Sequence, residues 1–259
     1  MDTLNLSGSF YLFITIRAFV ANNYFQFKQF TVYQEACAMK VCTDACIFGA
    51  YVAAILHKRL LQTNSILDIG AGTGLLSLMM AQNTTGSIDA IEIDEVACAQ
   101  AKQNIAQSPW KDRITILHRD VLTFKTEKKY DYILSNPPFF EGDLKSGNQQ
   151  KDAAKHDSTL TLEQLLQVID RHLSPTGIFA VLLPCHRLNY FIELVKKAQY
   201  FLSESLLIKH TEAHPFFRGI LLFSRAESPI EKQELAIKNE LGNYTTEFCE
   251  LMQPYYLHL

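Results

Sequence analysis

Ser65-Ile66-Leu67-Asp68-Ile69-Gly70-Ala71-Gly72-Thr73-Gly74 is the stretch that decides the fold of this 259-residue chain. Its first five residues form an apolar run that is typical of a buried parallel strand, and the residues after Gly74 predict a helix over 75–82. The glycines therefore lie on a tight turn between a strand and a helix. Such a turn favours residues that tolerate a positive φ, and a ligand passing close to the backbone favours residues without a Cβ. We predict a ligand-binding loop rather than a turn that binds nothing.

The glycine spacing and the acid before it indicate the kind of ligand. Dinucleotide folds use G-x-G-x-x-G and rest a pyrophosphate on the helix N-terminus. Here the spacing is G-x-G-x-G, and Asp68 stands two residues before the first glycine. An acid at this position would repel a pyrophosphate and would suit a ligand with an ammonium group. The stretch resembles the S-adenosylmethionine loop of class I methyltransferases, which does not name a substrate.

Two further acids follow predicted strands. Strands over 87–93 and 114–118 end near Glu92 and Asp120, at the edge where open parallel sheets bind ligands. Glu92 comes 18 residues after Gly74, close to the spacing of an acid that accepts hydrogen bonds from ribose hydroxyls. Asp120 could accept a hydrogen bond from an exocyclic amine such as adenine N6, or it could simply form a turn. Asp120 is the third acid near a strand end, after Asp68 and Glu92, and this repetition favours ligand binding by Asp120.

The second informative stretch is Asn136-Pro137-Pro138-Phe139-Phe140, which follows a strand predicted over 130–135. The two prolines fix φ, remove two donors and lead the chain out of the sheet in a stiff, extended form. A planar base or amide that carries an NH₂ group would donate to the Asn136 side-chain oxygen and the Pro137 carbonyl. Its ring would stack on Phe139. The alternative, a rigid turn without a ligand, is disfavoured by the glycine loop upstream.

Composition limits the class of partner. The net charge is −3 and 48% of the residues are hydrophobic, which suits one α/β domain with a sizeable core. Residues 227–259 contain six Glu and two Lys, so the rest of the chain is near neutral and any nucleic-acid surface must be a local patch. No two of the six cysteines have C-x-x-C spacing and no histidine cluster accompanies them, so we expect no metal site and reduced thiols.

The N-terminal part contains an apolar segment and a candidate helix start. Residues 9–20 are short for a membrane span, are interrupted by Arg17 and fit a signal peptide poorly. We expect 1–20 to be an N-terminal extension and 21–259 to be a single domain. Thr43 and Asp44 are candidate N-caps for a helix over 45–61. They also belong to a segment that could fold over the methionine end of a cofactor.

The remaining chain alternates helices with strands. We predict a hairpin over 24–34 and a polar loop over 141–157 with lysines available for phosphates. The predicted helices run over 94–107, 160–173, 187–200 and 231–241. The predicted strands run over 178–183, 205–209 and 219–224. Ser174-Pro175-Thr176-Gly177 is expected to end the helix over 160–173 and to separate it from the next strand. The last two strands could pair as an antiparallel edge, and an aromatic tail could pack back on the body. This order predicts a Rossmann-like α/β fold with a doubly wound, mostly parallel seven-stranded sheet.

A narrower resemblance runs from about Tyr24 to the C-terminus. The bacterial tRNA1(Val) (adenine(37)-N6)-methyltransferases are similar to this chain at Phe27-Lys28-Gln29-Phe30, Met39-Lys40-Val41 with Thr43-Asp44, Gln107-Ser108-Pro109-Trp110, Ser135 through Phe140 and Tyr255-Tyr256-Leu257. Cys42 departs from the family pattern, which usually has glycine there. That departure concerns the local backbone rather than the chemistry.

The resemblance implies a methyltransferase that transfers a methyl group from S-adenosylmethionine to N6 of adenine 37 in the anticodon loop of tRNA1(Val). It implies that cofactor-binding residues include Lys40, Thr43, Asp44, Asp68, Gly70, Gly72 and Gly74 towards the methionine part, Glu92 at the ribose and Asp120 at the adenine. It implies that Asn136, Pro137 and Phe139 are the catalytic residues that hold the target adenine, with Asn136 also facing the cofactor. We expect a cytoplasmic monomer without membrane or metal partners.

Three alternatives stay open at this point. One is a methyltransferase on another planar amine: a release-factor glutamine, DNA adenine N6 or rRNA guanine N2. The N-P-P-F core alone does not exclude it, although the N-terminal and C-terminal similarities favour tRNA. A cofactor-binding or RNA-binding module without catalysis is disfavoured by Asn136 and Phe139. A nicotinamide oxidoreductase is disfavoured by the glycine spacing and by Asp68.

Overall fold

A computed structural model describes residues 23–37, 40–58, 65–138 and 160–259. Within these ranges the strands are β1 Tyr24–Gln26, β2 Thr31–Tyr33, β3 Ser65–Ile69, β4 Ser87–Glu92, β5 Ile114–His118, β6 Tyr130–Ser135, β7 Leu173–Pro184, β8 Phe201–Lys209, β9 Phe216–Ser224 and β10 Glu231–Ala236. The helices are α1 Thr43–Lys58, α2 Leu75–Asn83, α3 Glu95–Ala106, α4 Leu162–His172, α5 Cys185–Lys197 and α6 Thr246–Met252. The predicted extension over 1–20 and the polar loop over 141–157 lie outside the described residues.

The central sheet brings the ends of several strands to one edge. Its strand order is β10-β8-β9-β7-β6-β3-β4-β5, with β9 antiparallel to both neighbours and every other pair parallel. The carboxyl ends of β3, β4, β5 and β6 therefore meet at the same edge, as do those of β7 and β8. This arrangement confirms the predicted α/β class and the mostly parallel sheet.

The helix predicted over 231–241 is wrong. Glu231–Ala236 is the edge strand β10, which pairs in parallel with β8, so the sheet has eight strands rather than seven. The charged residues of this stretch face solvent on an edge, a common way to prevent edge-to-edge association, and backbone pairing with β8 overrides their local helical preference. The antiparallel pair β8–β9 consequently lies inside the sheet and not at its edge.

Two predicted boundaries also move. The stop predicted over 174–177 lies inside β7, which continues directly from α4 because Leu173 already pairs with Tyr130 of β6. Helix α1 begins at Thr43, so Thr43 and Asp44 lie in its first turn rather than before it. The first helical bond runs from the Cys46 amide to the Cys42 carbonyl, and this bond shifts the helix start towards the N-terminus.

Helices cover both faces of the sheet. The core of one face contains residues of α1, α2, α3 and α6, and the core of the other contains residues of α4 and α5. The predicted hairpin is confirmed as the antiparallel pair β1–β2, and the aromatic tail packs against it. The amide of Lys28 donates to the Tyr255 carbonyl at 2.8 Å, and Phe27 forms a β-bridge with Tyr256.

Two features are absent from the described ranges. No helix there is long and apolar enough to cross a lipid bilayer. The same ranges contain no group of three or more His, Cys, Asp or Glu residues that could hold a metal ion.

Candidate active site

One large cavity opens at the carboxyl edge of the sheet. Its volume is about 720 Å³, within the range of about 300–1,000 Å³ that small-molecule sites occupy. Predicted site residues from four different strand ends line it: Gly70, Gly72, Glu92, Asp120, Asn136 and Pro137. The convergence arises because parallel strands end at a common edge.

The glycine loop leaves open space where side chains would stand. Gly70 and Gly72 have φ of 77° and 54°, and a Cβ added at either would meet no atom within 4 Å. Gly74 has φ of 81°, but its Cβ would lie 3.1 Å from Cδ1 of Ile105 on α3. The first two glycines therefore leave room for a ligand, whereas Gly74 is required for close packing of the loop on a helix and does not line the cavity.

Glu92 holds the glycine loop to the turn after β4. Its side chain is only 8% exposed, Oε2 accepts from the Gly72 amide at 2.7 Å, and Oε1 accepts from the Asp94 amide at 2.9 Å. Each carboxylate oxygen keeps a second acceptor site. Glu92 can thus receive hydroxyl donors without releasing the loop that it already holds.

Asp68 lies fully buried beside the loop, outside the residues that line the cavity. The Ser77 hydroxyl donates to its Oδ2 at 2.7 Å, and its buried Oδ1 has no hydrogen-bond partner among the described residues. Burial raises the pKa of the Asp68 carboxyl to about 6, the Ser77 hydrogen bonds oppose the rise, and the Glu92 charge adds to it. A cation that reached Oδ1 would reverse this effect and favour the ionised form.

Asp120 forms a turn and also faces the cavity. Its Oδ1 accepts from the Leu122 amide at 2.8 Å, the bond typical of an Asx turn. The residue is half-buried and lines the cavity together with Arg119 and Leu122. The turn and the ligand role are therefore compatible, since one carboxylate oxygen serves the turn and the other remains available as an acceptor.

Asn136 presents an unsatisfied acceptor at the mouth of the N-P-P corner. Its buried Oδ1 has no hydrogen-bond partner among the described residues, and Asn136, Pro137 and Pro138 line the cavity. A buried polar atom without a partner costs about 1–3 kcal/mol, which a ligand that donates to it would offset. The residues present thus fit an amine donor. Phe139, the third predicted catalytic residue, lies outside the described residues.

The segment 40–44, which leads into α1 and includes Lys40, Thr43 and Asp44, does not line the cavity. Lys40 and Thr43 are exposed, and Asp44 forms an ion pair with Arg218 of β9, with Oδ2 2.9 Å from Nε. The Val41 amide donates to Oε1 of Gln34 at 2.7 Å, which fastens the segment to the N-terminal hairpin. These bonds account for the position of the segment, and the cofactor roles predicted for Lys40, Thr43 and Asp44 stay predictions.

Sequence reasoning missed Asn104, which connects the hairpin to the glycine loop. Its Nδ2 donates to the carbonyls of Tyr33 at 2.8 Å and Thr73 at 2.9 Å, and its Oδ1 accepts from the Tyr33 amide at 2.9 Å. Asn104 is 1% exposed, between the buried Ala101 and Ile105 of α3. A polar residue on the apolar face of a helix is the signal that could have identified it. Other cavity-lining residues that were not predicted are Cys37, Arg119 and Gln164.

Comparison with known proteins identifies the relatives of this chain. Residues 39–190 match the family model described as methyltransferase small domain. A tRNA1(Val) (adenine(37)-N6)-methyltransferase of Dyadobacter fermentans is 45% identical over 91% of this chain and 98% of the relative. A protein of the same name from Bacteroides thetaiotaomicron is 38% identical over 93% of this chain and 100% of the relative.

A solved structure supports the fold. A protein from Agrobacterium tumefaciens described as a predicted O-methyltransferase has a TM-score of 0.61 and 14% sequence identity, and the match covers 81% of this chain and 95% of that chain. At this level of identity the similarity shows the fold alone.

Proposed function

This chain belongs to the family of the tRNA1(Val) (adenine(37)-N6)-methyltransferases, and on that premise we propose that it transfers a methyl group from S-adenosylmethionine to N6 of adenine 37 in the anticodon loop of tRNA1(Val). One observation carries the proposal. The glycine loop and the Asn136-Pro137 corner line a single cavity of about 720 Å³, so a methyl donor and a flipped base can meet inside it.

We propose the following roles for the cofactor-binding residues. Gly70 and Gly72 let the methionine part pass close to the backbone, and Asp68 attracts its ammonium group. Glu92 accepts hydrogen bonds from the ribose hydroxyls, and Asp120 accepts one from the amine of the cofactor's adenine. When bound, S-adenosylmethionine supplies an electrophilic methyl group on a sulfonium. The support for these roles is the open space at the two glycines and the spare acceptor sites of the acids.

The N-P-P corner acts on the target base. Adenine must leave its stack to enter the cavity, and its position in a loop lowers the cost of that step. The N6 lone pair is conjugated into the ring and is a poor nucleophile. We propose that Oδ1 of Asn136 and the Pro137 carbonyl accept hydrogen bonds from the amine and stabilise the positive charge that develops on it. Phe139 would stack on the ring and fix its orientation.

Cofactor affinity should depend on pH through Asp68. Since its pKa is raised to about 6, the carboxyl carries a proton below that pH and is ionised above it. An ammonium group prefers the ionised form, so binding at low pH must expel the proton. We expect the affinity for S-adenosylmethionine to rise from pH 5 to pH 7, by at most about tenfold per unit, and then to level off.

Calorimetric titration with S-adenosylmethionine between pH 5 and pH 8 measures this dependence. The Asp68→Asn variant should bind S-adenosylmethionine more weakly, and its affinity should not change between pH 5 and pH 7. The Asp120→Asn variant should also bind more weakly, but its affinity should still rise with pH as in the wild type. A wild-type profile without a slope between pH 5 and pH 7 would exclude contact between Asp68 and the ammonium group.

The function itself is tested by methyl transfer from labelled S-adenosylmethionine to total tRNA that lacks modifications, followed by nucleoside analysis. We expect N6-methyladenosine in tRNA1(Val), and no labelling of the same tRNA with guanine at position 37. Release factor, adenine-containing duplex DNA and ribosomal RNA serve as competing substrates. Labelling of one of these with tRNA1(Val) left unmodified would contradict the proposal.

We further propose that residues 21–259 form a single domain that acts as a monomer in the cytoplasm. The N-terminal hairpin, the sheet and the C-terminal tail share one hydrophobic core, which supports a single domain. The cytoplasmic location follows from the proposed substrate, because tRNA is used there.

A further inference from the structure

The turn between β8 and β9 carries an exposed pair of stacked rings. The imidazole of His210 lies on the phenyl ring of Phe217, with centroids 4.1 Å apart and planes within 5° of parallel. His210 is exposed, whereas Phe217 is half-buried against the core. We call this pair the His210–Phe217 platform. The underlying ring is anchored in the protein, and the ring above it belongs to an exposed residue. The His214 ring lies nearly perpendicular to the His210 ring, with centroids 6.2 Å apart.

The platform is held in place before any ligand arrives. Backbone amides of the residues after β10 hold the backbone at His210 and the residue before it. The Lys238 amide donates to the His210 carbonyl at 2.9 Å, and the Ile237 amide donates to the Lys209 carbonyl at 3.0 Å. Within the turn, the Thr211 hydroxyl lies 2.7 Å from Nδ1 of His214. A fixed surface loses little conformational entropy on binding, so it is suited to recognition.

The platform lies at the same edge of the sheet as the candidate active site. β8 runs parallel to β6, so His210 follows its strand at the edge where Asn136 follows β6. Three strand spacings separate β6 from β8, which places the platform about 14 Å sideways from the N-P-P corner. The strand registers align Ser135 with Ser205, so His210 also lies about 13 Å farther along the strand direction than Asn136. Arg218, next to Phe217, pairs with Pro184 at the end of β7 and bonds to Asp44. The two offsets combine to about 19 Å, so a substrate that contacts both the cavity and the platform must extend over about that distance.

The charges around the platform favour a base over a phosphate. Nζ of Lys209 contacts Oε2 of Glu212 at 2.5 Å and Oε2 of Glu234 at 3.6 Å, and Arg218 is paired with Asp44. Two of the nearby cations, Lys209 and Arg218, are thus paired with carboxylates, and Nζ of a third, Lys238, lies 5.6 Å from the centroid of the Tyr244 ring. A stacked aromatic surface binds the flat face of an unpaired base, which single-stranded RNA offers and a duplex does not.

We propose that the His210–Phe217 platform stacks an unpaired base of the anticodon loop other than the target adenine. The inference rests on the proposed function, since it assigns a second contact to the same tRNA. It makes the β8–β9 turn an RNA-binding element that orients the loop while adenine 37 occupies the cavity.

The first test is steady-state kinetics with the anticodon stem-loop of tRNA1(Val). Stacking of one base contributes an amount that corresponds to about 5- to 160-fold in affinity, so His210→Ala should raise KM for the stem-loop by a factor in that range. The dissociation constant of S-adenosylmethionine and kcat at saturating RNA should not change. His210→Tyr, which retains a flat ring, should restore most of the loss.

The chain offers a matched control. His57 is also exposed, on the last turn of α1, and thirteen helical residues place it about 20 Å from Asp44. His57→Ala should leave KM for the stem-loop unchanged. A KM for the His210→Ala variant within twofold of the wild type would overturn the proposal. An equally large loss of affinity for S-adenosylmethionine in that variant would also overturn the proposal, because the substitution would then disturb the folded structure and not a contact with RNA.

The second test identifies the base. Each loop nucleotide except adenine 37 is replaced in turn by an abasic one, and each RNA is assayed with the wild type and with His210→Ala. At one position the abasic RNA should raise KM with the wild type as much as His210→Ala raises it with the intact stem-loop. His210→Ala should then raise KM no further with that abasic RNA, which is the signature of a direct contact. Additive losses at every position would reject stacking. Failure of the proposed function is distinguishable, because the wild type would then not methylate the unmodified stem-loop at all.

Discussion

The Asn136→Ala variant should lose methyl transfer and keep most of its affinity for S-adenosylmethionine. The acceptor Oδ1 of Asn136 lies buried at the cavity without a partner among the described residues, where a developing positive charge on the target amine would be stabilised. Removal of one preorganised group of this kind costs about 10²- to 10³-fold in kcat. Single-turnover methylation of tRNA1(Val) and calorimetric titration of the cofactor measure the two effects separately.

Stability provides a second readout for Asn136. Since the described structure gives Oδ1 no hydrogen bond, truncation to alanine removes an unsatisfied atom and should leave the melting temperature unchanged or slightly raised. Asn243→Ala, in an exposed turn after β10, is the matched control and should affect neither activity nor binding. Equal losses of methyl transfer and cofactor affinity in the Asn136 variant would count against the catalytic role.

Gly72→Ala should raise the dissociation constant of S-adenosylmethionine by more than about tenfold. The added Cβ would stand in the open space beside the cavity, where a ligand close to the backbone would clash with it. Gly72 also has φ of 54°, a left-handed conformation that costs an alanine about 1–2 kcal/mol of stability. Binding and thermal unfolding, measured on the same preparation, separate the two contributions.

Gly242 supplies the matched control for this substitution. It has φ of 83° and, like Gly72, open space at its Cβ, but it lies in the turn after β10, away from the residues that line the cavity. Gly242→Ala should lower the melting temperature by a similar amount and leave cofactor affinity intact. If both variants bound the cofactor equally well, the glycine loop would not be the cofactor site.

The strands that the sequence predicts best are short runs rich in apolar residues. β3, β5 and β6 begin and end at the predicted residues, because each is a short apolar run bounded by polar or turn-forming residues. β10 was predicted as a helix because its exposed charges carry no period-two signal. Only its pairing with β8, more than twenty residues earlier in the chain, makes it a strand.

Sequence could predict those site residues whose positions are set by the carboxyl ends of the parallel strands. Glu92 lies near the end of a predicted strand, and Asp120 and Asn136 follow two others, so the topology alone brings them to one cavity. The ion pair between Asp44 and Arg218 joins residues 174 positions apart, and no local pattern indicates it. The link from Asn104 to Tyr33 likewise depends on tertiary packing. The orientation of the segment before α1 therefore could not be derived from sequence.

The two bonds that Glu92 makes to the amides of Gly72 and Asp94 have a consequence for turnover. They hold the loop in place without a ligand, and in the proposed binding mode recognition would come from contacts to the ribose, the adenine and the amino acid end of the ligand. All three are common to the methyl donor and to the demethylated thioether that remains after the reaction. The spent molecule should therefore compete with the methyl donor for the enzyme, and its accumulation should raise the apparent KM for the donor.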